Sequence, residues 1–146
     1  MECMKQYRFY GWQTSHVQSE DGLTPCDLYD LLREVWCEYT CAPRLRDKWS
    51  AENPTVGQCS VTAFLAQDIF GGKVYGVTTE SGNTHCYNVV DGCTFDLTSE
   101  QFPGVTLTYE NNAEQCREEH FRKEEKRLRY EYLKAALNEK REQRKK

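Results

Sequence analysis

The sequence has no long hydrophobic run, which argues against an integral membrane protein. No apolar stretch reaches the roughly 18 residues that a membrane-spanning helix needs. The first residues, Met1 to Tyr7, also lack the apolar segment of a secretory signal peptide. We therefore expect a cytoplasmic protein without a membrane partner.

Basic residues are not in excess, which argues against a nucleic-acid partner. Residues 113–146 hold 12 of the 19 Lys and Arg residues and 8 of the 23 Asp and Glu residues, so this tail carries +4 and the remainder −8. An acidic body is unsuited to neutralising phosphates. The tail mixes charges of both signs, which is typical of a solvated helix.

Closely paired metal-ligand motifs are also absent, although cysteine is abundant. The chain has eight cysteines and no Cys-x-x-Cys motif. Without a secretory signal we do not expect a disulfide framework, and the spacing of Cys37, Cys41, Cys86 and Cys93 suits zinc poorly. We expect small buried thiols, no metal and no cofactor. A cysteine-ligated metal protein is the minor alternative.

The periodicity of the first half predicts two helices. Thr24 suits an N-cap and Pro25 the first helical position, and the apolar stripe that follows predicts a helix ending near Cys41. A second helix is predicted over Cys59–Phe70, because Gly71-Gly72 then supplies a C-terminal stop.

After these helices the hydrophobic period changes to two, so the fold class is predicted to be α+β with a small antiparallel sheet. The predicted strands cover residues 73–79, 84–90, 93–97 and 105–109. We divide the chain into an α+β domain, residues 1–111, and a long charged C-terminal helix, residues 112–146. That helix is expected to dock on the sheet over its first half and to fray beyond Leu137.

Cys59 is the first candidate for chemistry, because it stands where a loop ends and an apolar helix begins. The partial positive charge of a helix N-terminus lowers a thiol pKa, and the free N–H groups of the first turn can stabilise an oxyanion. The preceding Gly57 would let a substrate approach the backbone closely.

His85 and Asp96 are predicted to lie close together on one face of a hairpin. With Asp91-Gly92 as a two-residue loop, Val89 faces Thr94, so His85 and Asp96 become diagonal neighbours. A slip of one residue would place them on opposite faces. An acid on one ring nitrogen fixes the imidazole tautomer and favours its charged form. The other two histidines, His16 and His120, are predicted to be on the surface and to have no chemical role.

These motifs resemble the transglutaminase-like branch of the papain-like cysteine-enzyme superfamily. That branch has a Gly-Gln-Cys motif, a strand histidine and an Asp shortly before a Thr, which match Gly57-Gln58-Cys59, His85 and Asp96-x-Thr98. The stretch from Gly57 to Phe102 also resembles the bacterial YunG-like proteins. The resemblance implies a papain-like core with Cys59 as nucleophile, His85 as general base and acid, and Asp96 as the orienting acid.

The resemblance further implies a tryptophan that donates to the oxyanion. Trp49 is the first candidate and Trp36 the second, and Gln58 is a further oxyanion or pocket candidate. The sequence departs from the branch at Cys86-Tyr87, where a tryptophan is frequent, and at Leu97, where proline is frequent. It has no counterpart of a calcium site.

Two functional hypotheses follow. The first is a cysteine hydrolase or acyltransferase that acts on an amide, ester or thioester of unidentified structure through Cys59, His85 and Asp96. The alternative is a non-catalytic binding or regulatory module on a papain-like scaffold, in which the C-terminal helix meets a protein partner.

Overall fold

The fold is described from a computed structural model of the chain, for residues 6–105 and 107–144. It is α+β, with helices packed against a four-stranded antiparallel sheet. The helices are α1 (Pro25–Val35), α2 (Cys59–Phe70), α3 (Arg117–His120) and α4 (Glu124–Arg144), and the strands are β1 (Lys73–Thr78), β2 (Thr84–Val90), β3 (Cys93–Phe95) and β4 (Ala113–Glu114). The strand order is β3-β2-β1-β4. No helix in the described part of the chain is long and apolar enough to cross a membrane.

Helix α1 begins as predicted but ends at Val35, six residues before Cys41. Thr24 and Asp27 form a reciprocal capping box at its N-terminus. At the other end Trp36 leaves helical geometry, and its indole Nε1 donates to Thr62 Oγ1 of α2 at 2.9 Å. This buried bond to another helix overrides the apolar periodicity that predicted a longer helix.

Helix α2 has the predicted bounds, Cys59 to Phe70, and Gly71 ends it with a positive φ of 81°. Its residues Val61 to Ala66 are buried, because the sheet covers one side of the helix and α4 packs against another. The core also includes Phe9, Leu28, Leu32, Val74, Phe95, Leu133 and Leu137.

The β2–β3 hairpin has the predicted register. Val90 pairs with Cys93, Val89 with Thr94, and Asn88 with Phe95. The two-residue Asp91-Gly92 turn, in which both residues have positive φ, fixes this pairing. The register on which the predicted proximity of His85 and Asp96 depends is therefore confirmed.

The fourth strand is not at the predicted place. Val105 and residues 107–109 are not in a strand, and Thr106 lies outside the described residues. Instead Ala113 and Glu114 pair with β1. The Tyr109 ring stacks on Tyr10 at 4.1 Å and its hydroxyl bonds Asp96, so this stretch is held beside the Asp96 end of the hairpin.

The C-terminal helix α4 docks on helices α1 and α2, and the prediction that it docks on the sheet was wrong. Its buried residues are Arg129, Tyr130, Leu133 and Leu137. The helix begins at Glu124 and not, as predicted, at residue 112, and it extends to Arg144, where Arg141 pairs with Asp21 and Arg144 with Glu34. Fraying beyond Leu137 stays a prediction. The division at residue 111 stays a prediction.

Candidate active site

Cys59 is the first residue of α2, and its side chain is partly exposed. Its sulfur lies 3.9 Å from the Thr84 carbonyl oxygen at the start of β2. Helix α2 runs along β2 from this point, since Asn88 Nδ2 donates to the Ala63 carbonyl at 2.8 Å one turn further on. The packing of α2 on β2 thus brings the helix N-terminus to the strand that carries His85.

The predicted proximity of His85 and Asp96 is confirmed. Nε2 of His85 and Oδ2 of Asp96 are 2.6 Å apart, and both side chains are almost completely buried, at 2% and 1% exposure. The other carboxylate oxygen, Oδ1, accepts from the Thr98 N–H at 3.2 Å and the Thr98 hydroxyl at 3.3 Å. A buried carboxylate needs such partners, and they fix its orientation toward the imidazole.

Tyr109 is a further partner of Asp96 that the sequence did not indicate. Its hydroxyl donates to Oδ2 at 2.7 Å, so Oδ2 accepts from Tyr109 as well as bonding His85. Burial, followed by the charge of Asp96, raises the pKa of Tyr109 far above its usual value, so this hydroxyl stays protonated. No motif or periodicity marks Tyr109, which lies 13 residues after Asp96 in an irregular segment.

The electrostatics favour a charged pair between His85 and Cys59. Burial opposes the charge on His85, but the Asp96 carboxylate and then Cys59 outweigh it and raise the pKa of His85 to about 10. The pKa of Cys59 lies well below its usual value, because the Cys86 thiol donates a hydrogen bond to its sulfur and His85 adds a second bond and its charge. The arrangement therefore favours a thiolate beside an imidazolium.

The two ring nitrogens of His85 have different neighbours. Since Nε2 faces Asp96, Nδ1 is the nitrogen available to Cys59. The Gln101 side-chain nitrogen is 3.4 Å from Nδ1, and its oxygen accepts from the Gly57 N–H at 3.3 Å. The Phe102 ring and the imidazole meet edge to face, with their centroids 4.8 Å apart. Gln101 thus lies between the His85 ring and the loop before Cys59, a position that no sequence signal indicated.

The side chains proposed for an oxyanion site are all engaged elsewhere. Gln58 is fully buried and its Nε2 donates to the Cys37 carbonyl at 3.1 Å. Trp49 Nε1 donates to the Pro54 carbonyl at 3.0 Å, and Trp36 is bonded to Thr62. These donors stabilise the loops around α2, so none of the three is presented to Cys59. The N–H groups in the first turn of α2 are still available as oxyanion donors. Thr62 is the first residue of the helix whose N–H donates to a backbone carbonyl of the preceding turn, that of Gln58.

Gly57 is required for packing inside the protein, and its role in the approach of a substrate stays a prediction. It has a positive φ of 71°, and a Cβ at this position would lie 2.4 Å from the Cys41 sulfur and 2.9 Å from the Ala42 nitrogen. Its carbonyl accepts from the Ala42 N–H at 2.9 Å. The glycine therefore lets the loop after α1 pack directly behind the Cys59 turn.

His120 is half-buried, contrary to the prediction of a surface position. Its ring packs against Phe64 and Phe121 at centroid distances of 5.0 and 4.9 Å. Burial, followed by the charge of Lys126, lowers the pKa of His120 to about 4. His120 is therefore a neutral packing residue, whereas His16 is exposed as predicted.

No metal cluster directs a ligand to Cys59 within the described ranges. Residues 6–105 and 107–144 contain no group of three or more His, Cys, Asp or Glu side chains that could hold a metal ion. A cavity of about 390 Å³ touches the His–Asp pair through Phe102 and Tyr109, but its lining does not include Cys59.

Comparisons with known proteins place the chain in a family. The family model described as YunG protein matches residues 24–142, which contain all three candidate residues. A protein of Bacillus subtilis (strain 168), described as "Uncharacterized protein YunG", is 38% identical over 72 residues. This match covers 49% of the chain and 57% of the relative. No solved structure matches the chain. Because the family model spans most of the sequence, the chain belongs to the YunG family.

Proposed function

We propose that the protein is a cysteine hydrolase or acyltransferase that acts through Cys59, His85 and Asp96. The observation that carries the proposal is the buried 2.6 Å bond between His85 and Asp96 next to a partly exposed cysteine at a helix N-terminus. The buried carboxylate of Asp96, which accepts hydrogen bonds from its neighbours, raises the pKa of the imidazole, and the imidazolium stabilises a thiolate. This is how a thiol becomes a nucleophile at neutral pH.

The geometry supports a two-step acyl transfer. The Cys59 thiolate attacks the carbonyl carbon of an amide, ester or thioester, and the N–H groups at the start of α2 stabilise the oxyanion. The Nδ1 proton of His85 passes to the leaving group, which departs and leaves an acyl–Cys59 intermediate. His85 then accepts a proton from water or an amine as it attacks the acyl carbon, and Cys59 leaves as a thiolate beside the restored imidazolium.

The same observations favour a papain-like core of the transglutaminase-like type. The order of elements is a helix with Cys59 at its N-terminus, then strand β1, then a strand with His85, then Asp96 directly after the next strand. This order is similar to that of the superfamily to which the Gly57-Gln58-Cys59 motif points. The oxyanion tryptophan of that branch has no counterpart at Trp49 or Trp36, since both indoles are bonded to other groups.

Selective alkylation tests the proposal. At about pH 6 an ordinary thiol is almost entirely protonated, so limiting iodoacetamide should label Cys59 ahead of the other seven cysteines. The variant His85→Ala should lower the Cys59 rate by at least about tenfold. His16→Ala, which removes an exposed histidine, is the matched control and should leave the rate unchanged. Labelling of Cys59 no faster than that of the other thiols would contradict the proposal.

A second candidate function is a binding module that uses α4. One observation favours it: Leu128 and Tyr132 are exposed on this helix, and the Tyr132 ring meets the exposed Tyr39 ring at 5.0 Å. Such exposed apolar residues are suited to a protein contact. Solution mass measured over a range of concentrations tests whether the partner is a second copy. A dimer that Leu128→Glu dissociates supports it, and a strict monomer contradicts self-association through this face.

A further inference from the structure

A second cysteine, Cys86, lies beside Cys59 on the side of β2 that faces α2. Side chains alternate along a strand, so Cys86 shares a face with Asn88, and Asn88 bonds the Ala63 carbonyl on α2. Cys59 precedes Ala63 by one turn, and its sulfur contacts Thr84 O, two residues before Cys86. Cys86 therefore lies between two points at which α2 touches β2.

The two cysteines also interact electrostatically. Hydrogen bonding by Cys86 is the largest of the effects that lower the pKa of Cys59. Both thiols are free in the structure. Their exposure differs, since Cys59 is partly exposed and Cys86 is buried at 5% exposure. Cys59 is therefore the more accessible residue of the pair.

We propose that Cys86 is a resolving thiol for Cys59, so that a hydroperoxide converts the pair into an intramolecular disulfide that switches the site off. The inference rests on the proposed function only in taking Cys59 as the reactive thiolate. The active site would then carry its own reversible modification site, with peroxide as oxidant and a dithiol as reductant.

The reaction balances in two steps. The Cys59 thiolate attacks the terminal peroxide oxygen, the O–O bond breaks, and the released alkoxide takes up a proton to give an alcohol, or water from hydrogen peroxide. Cys59 is then a sulfenic acid. The Cys86 sulfur attacks the Cys59 sulfur, an S–S bond forms, the S–O bond breaks, and hydroxide leaves as water with the Cys86 proton. The two thiols lose two electrons and the peroxide gains them.

The neighbourhood of Cys86 suits the second step. The pKa of Cys86 is held well above its usual value, first by its hydrogen bond to Cys59 and then by burial, with the Cys59 charge adding to both. A sulfenic acid is neutral at this position, so its formation removes the charge that opposes ionisation of Cys86. Lys126 lies close enough to favour the Cys86 thiolate. Cys86 is thus protonated while the site is active and more easily ionised once Cys59 is oxidised.

To test the proposal, the whole protein is treated with a small excess of hydrogen peroxide at neutral pH, with and without the sulfenic-acid probe dimedone. The products are read by intact mass and by a non-reducing peptide map. We expect a loss of about 2 Da, a Cys59–Cys86 cross-linked peptide, loss of Cys59 alkylation, and recovery of both with dithiothreitol. In Cys86→Ser we expect a dimedone adduct on Cys59 instead. Cys93→Ser, which removes a hairpin thiol, is the control and should form the disulfide as the wild type does.

The outcomes separate this inference from the proposed function. Dimedone labelling or sulfinic acid on wild-type Cys59 without the Cys59–Cys86 peptide would overturn the inference, while rapid alkylation of Cys59 near pH 6 would leave the proposed function standing. If the disulfide forms but Cys59 is alkylated no faster than the other thiols, the role of Cys86 as resolving thiol is supported and the role of Cys59 as nucleophile is contradicted. The wild-type peptide map decides the inference even if Cys86→Ser does not fold.

Discussion

His85 and Asp96 lie 2.6 Å apart, Nε2 to Oδ2, with both side chains buried. An imidazolium in this position is stabilised by one carboxylate, and that carboxylate is held by Thr98 and Tyr109. Removing the acid would leave a buried positive charge without a partner, which is costly. The stability of the fold and the reactivity of Cys59 should therefore both depend on Asp96.

The first prediction concerns the variant Asp96→Ala. We expect the free energy of unfolding to fall by about 3–5 kcal/mol, the usual cost of breaking a buried ion pair. Urea denaturation at neutral pH measures it. Glu80→Ala, which removes an exposed carboxylate from a turn, is the control and should change stability by less than about 0.5 kcal/mol. Equal effects of the two variants would show that the buried pair is not formed.

The second prediction uses Tyr109→Phe to remove one hydroxyl from Asp96. A hydrogen bond to a charged group contributes about 1.5–3 kcal/mol, so we expect a loss of that order. Cys59 alkylation should slow less than in His85→Ala, because Asp96 keeps its bonds to His85 and Thr98. Tyr75→Phe, which removes a hydroxyl from β1, serves as the control. A Tyr109→Phe variant as stable as this control would contradict the contact.

The third prediction concerns pH and follows from the two opposed pKa shifts. The folded pKa of His85 is raised from 6.5 to about 10, so its contribution to stability is fully present below about pH 6.5 and is lost as pH rises toward 10. The folded pKa of Cys59 is depressed below 9.0, so its contribution is present above that pH and is lost as pH falls through the folded value. Between about pH 6.5 and 9 the two terms oppose each other.

Urea denaturation across this pH range distinguishes the two terms. Wild-type stability should change little between about pH 6.5 and 9, because the folded and unfolded states bind similar numbers of protons. In Cys59→Ser the His85 term stands alone, and stability should fall over the same range. A parallel pH dependence of the two proteins would show that Cys59 and His85 are not charged together.

The fourth prediction tests the packing behind the Cys59 turn with Gly57→Ala. The added Cβ would meet the Cys41 sulfur at 2.4 Å, and alanine disfavours the positive φ of 71°. Gly82 also has a positive φ, of 84°, but faces open space, so Gly82→Ala should cost only about 1 kcal/mol of backbone strain. We expect Gly57→Ala to lose clearly more stability in thermal unfolding. Similar losses would show that the Cys41 loop moves aside freely.

The fifth prediction concerns the docking of α4. Leu137 is fully buried and Leu128 is exposed on the same helix. Leu137→Ala should lower the free energy of unfolding by about 2–5 kcal/mol through lost burial and a cavity, and Leu128→Ala by less than about 1 kcal/mol. Denaturant unfolding of both variants measures the difference. Two equally small losses would mean that the helix frays before Leu137, earlier than the sequence suggested.

Local signals in the sequence predicted the parts of the site that are close along the chain. The Asp91-Gly92 turn determined the hairpin register, and the register brought His85 and Asp96 together because side chains alternate along strands. Apolar periodicity and a terminal glycine bounded α2, so that Cys59 stands at its first residue. Each of these features depends only on residues within a few turns or one hairpin.

Tertiary packing determined the features of the fold that no local sequence pattern indicated. The length of α1 depends on the bond from Trp36 to Thr62, and the place of the fourth strand depends on the path of the chain around Tyr109. These contacts join residues far apart in the sequence, where no local pattern records which group a donor will meet. The same holds for Gln58, whose side chain turns inward to Cys37.

The sequence by itself thus determined that Cys59 lies at the start of a helix and that His85 and Asp96 lie close together on a hairpin. Only the tertiary structure decided that Cys86 and Gln101 adjoin them and that the Trp49 indole N–H donates elsewhere, to the Pro54 carbonyl. The physical reason is that backbone propensity and side-chain alternation act locally. The neighbours of a buried charge are instead set by how separate elements pack, which is a property of the whole fold.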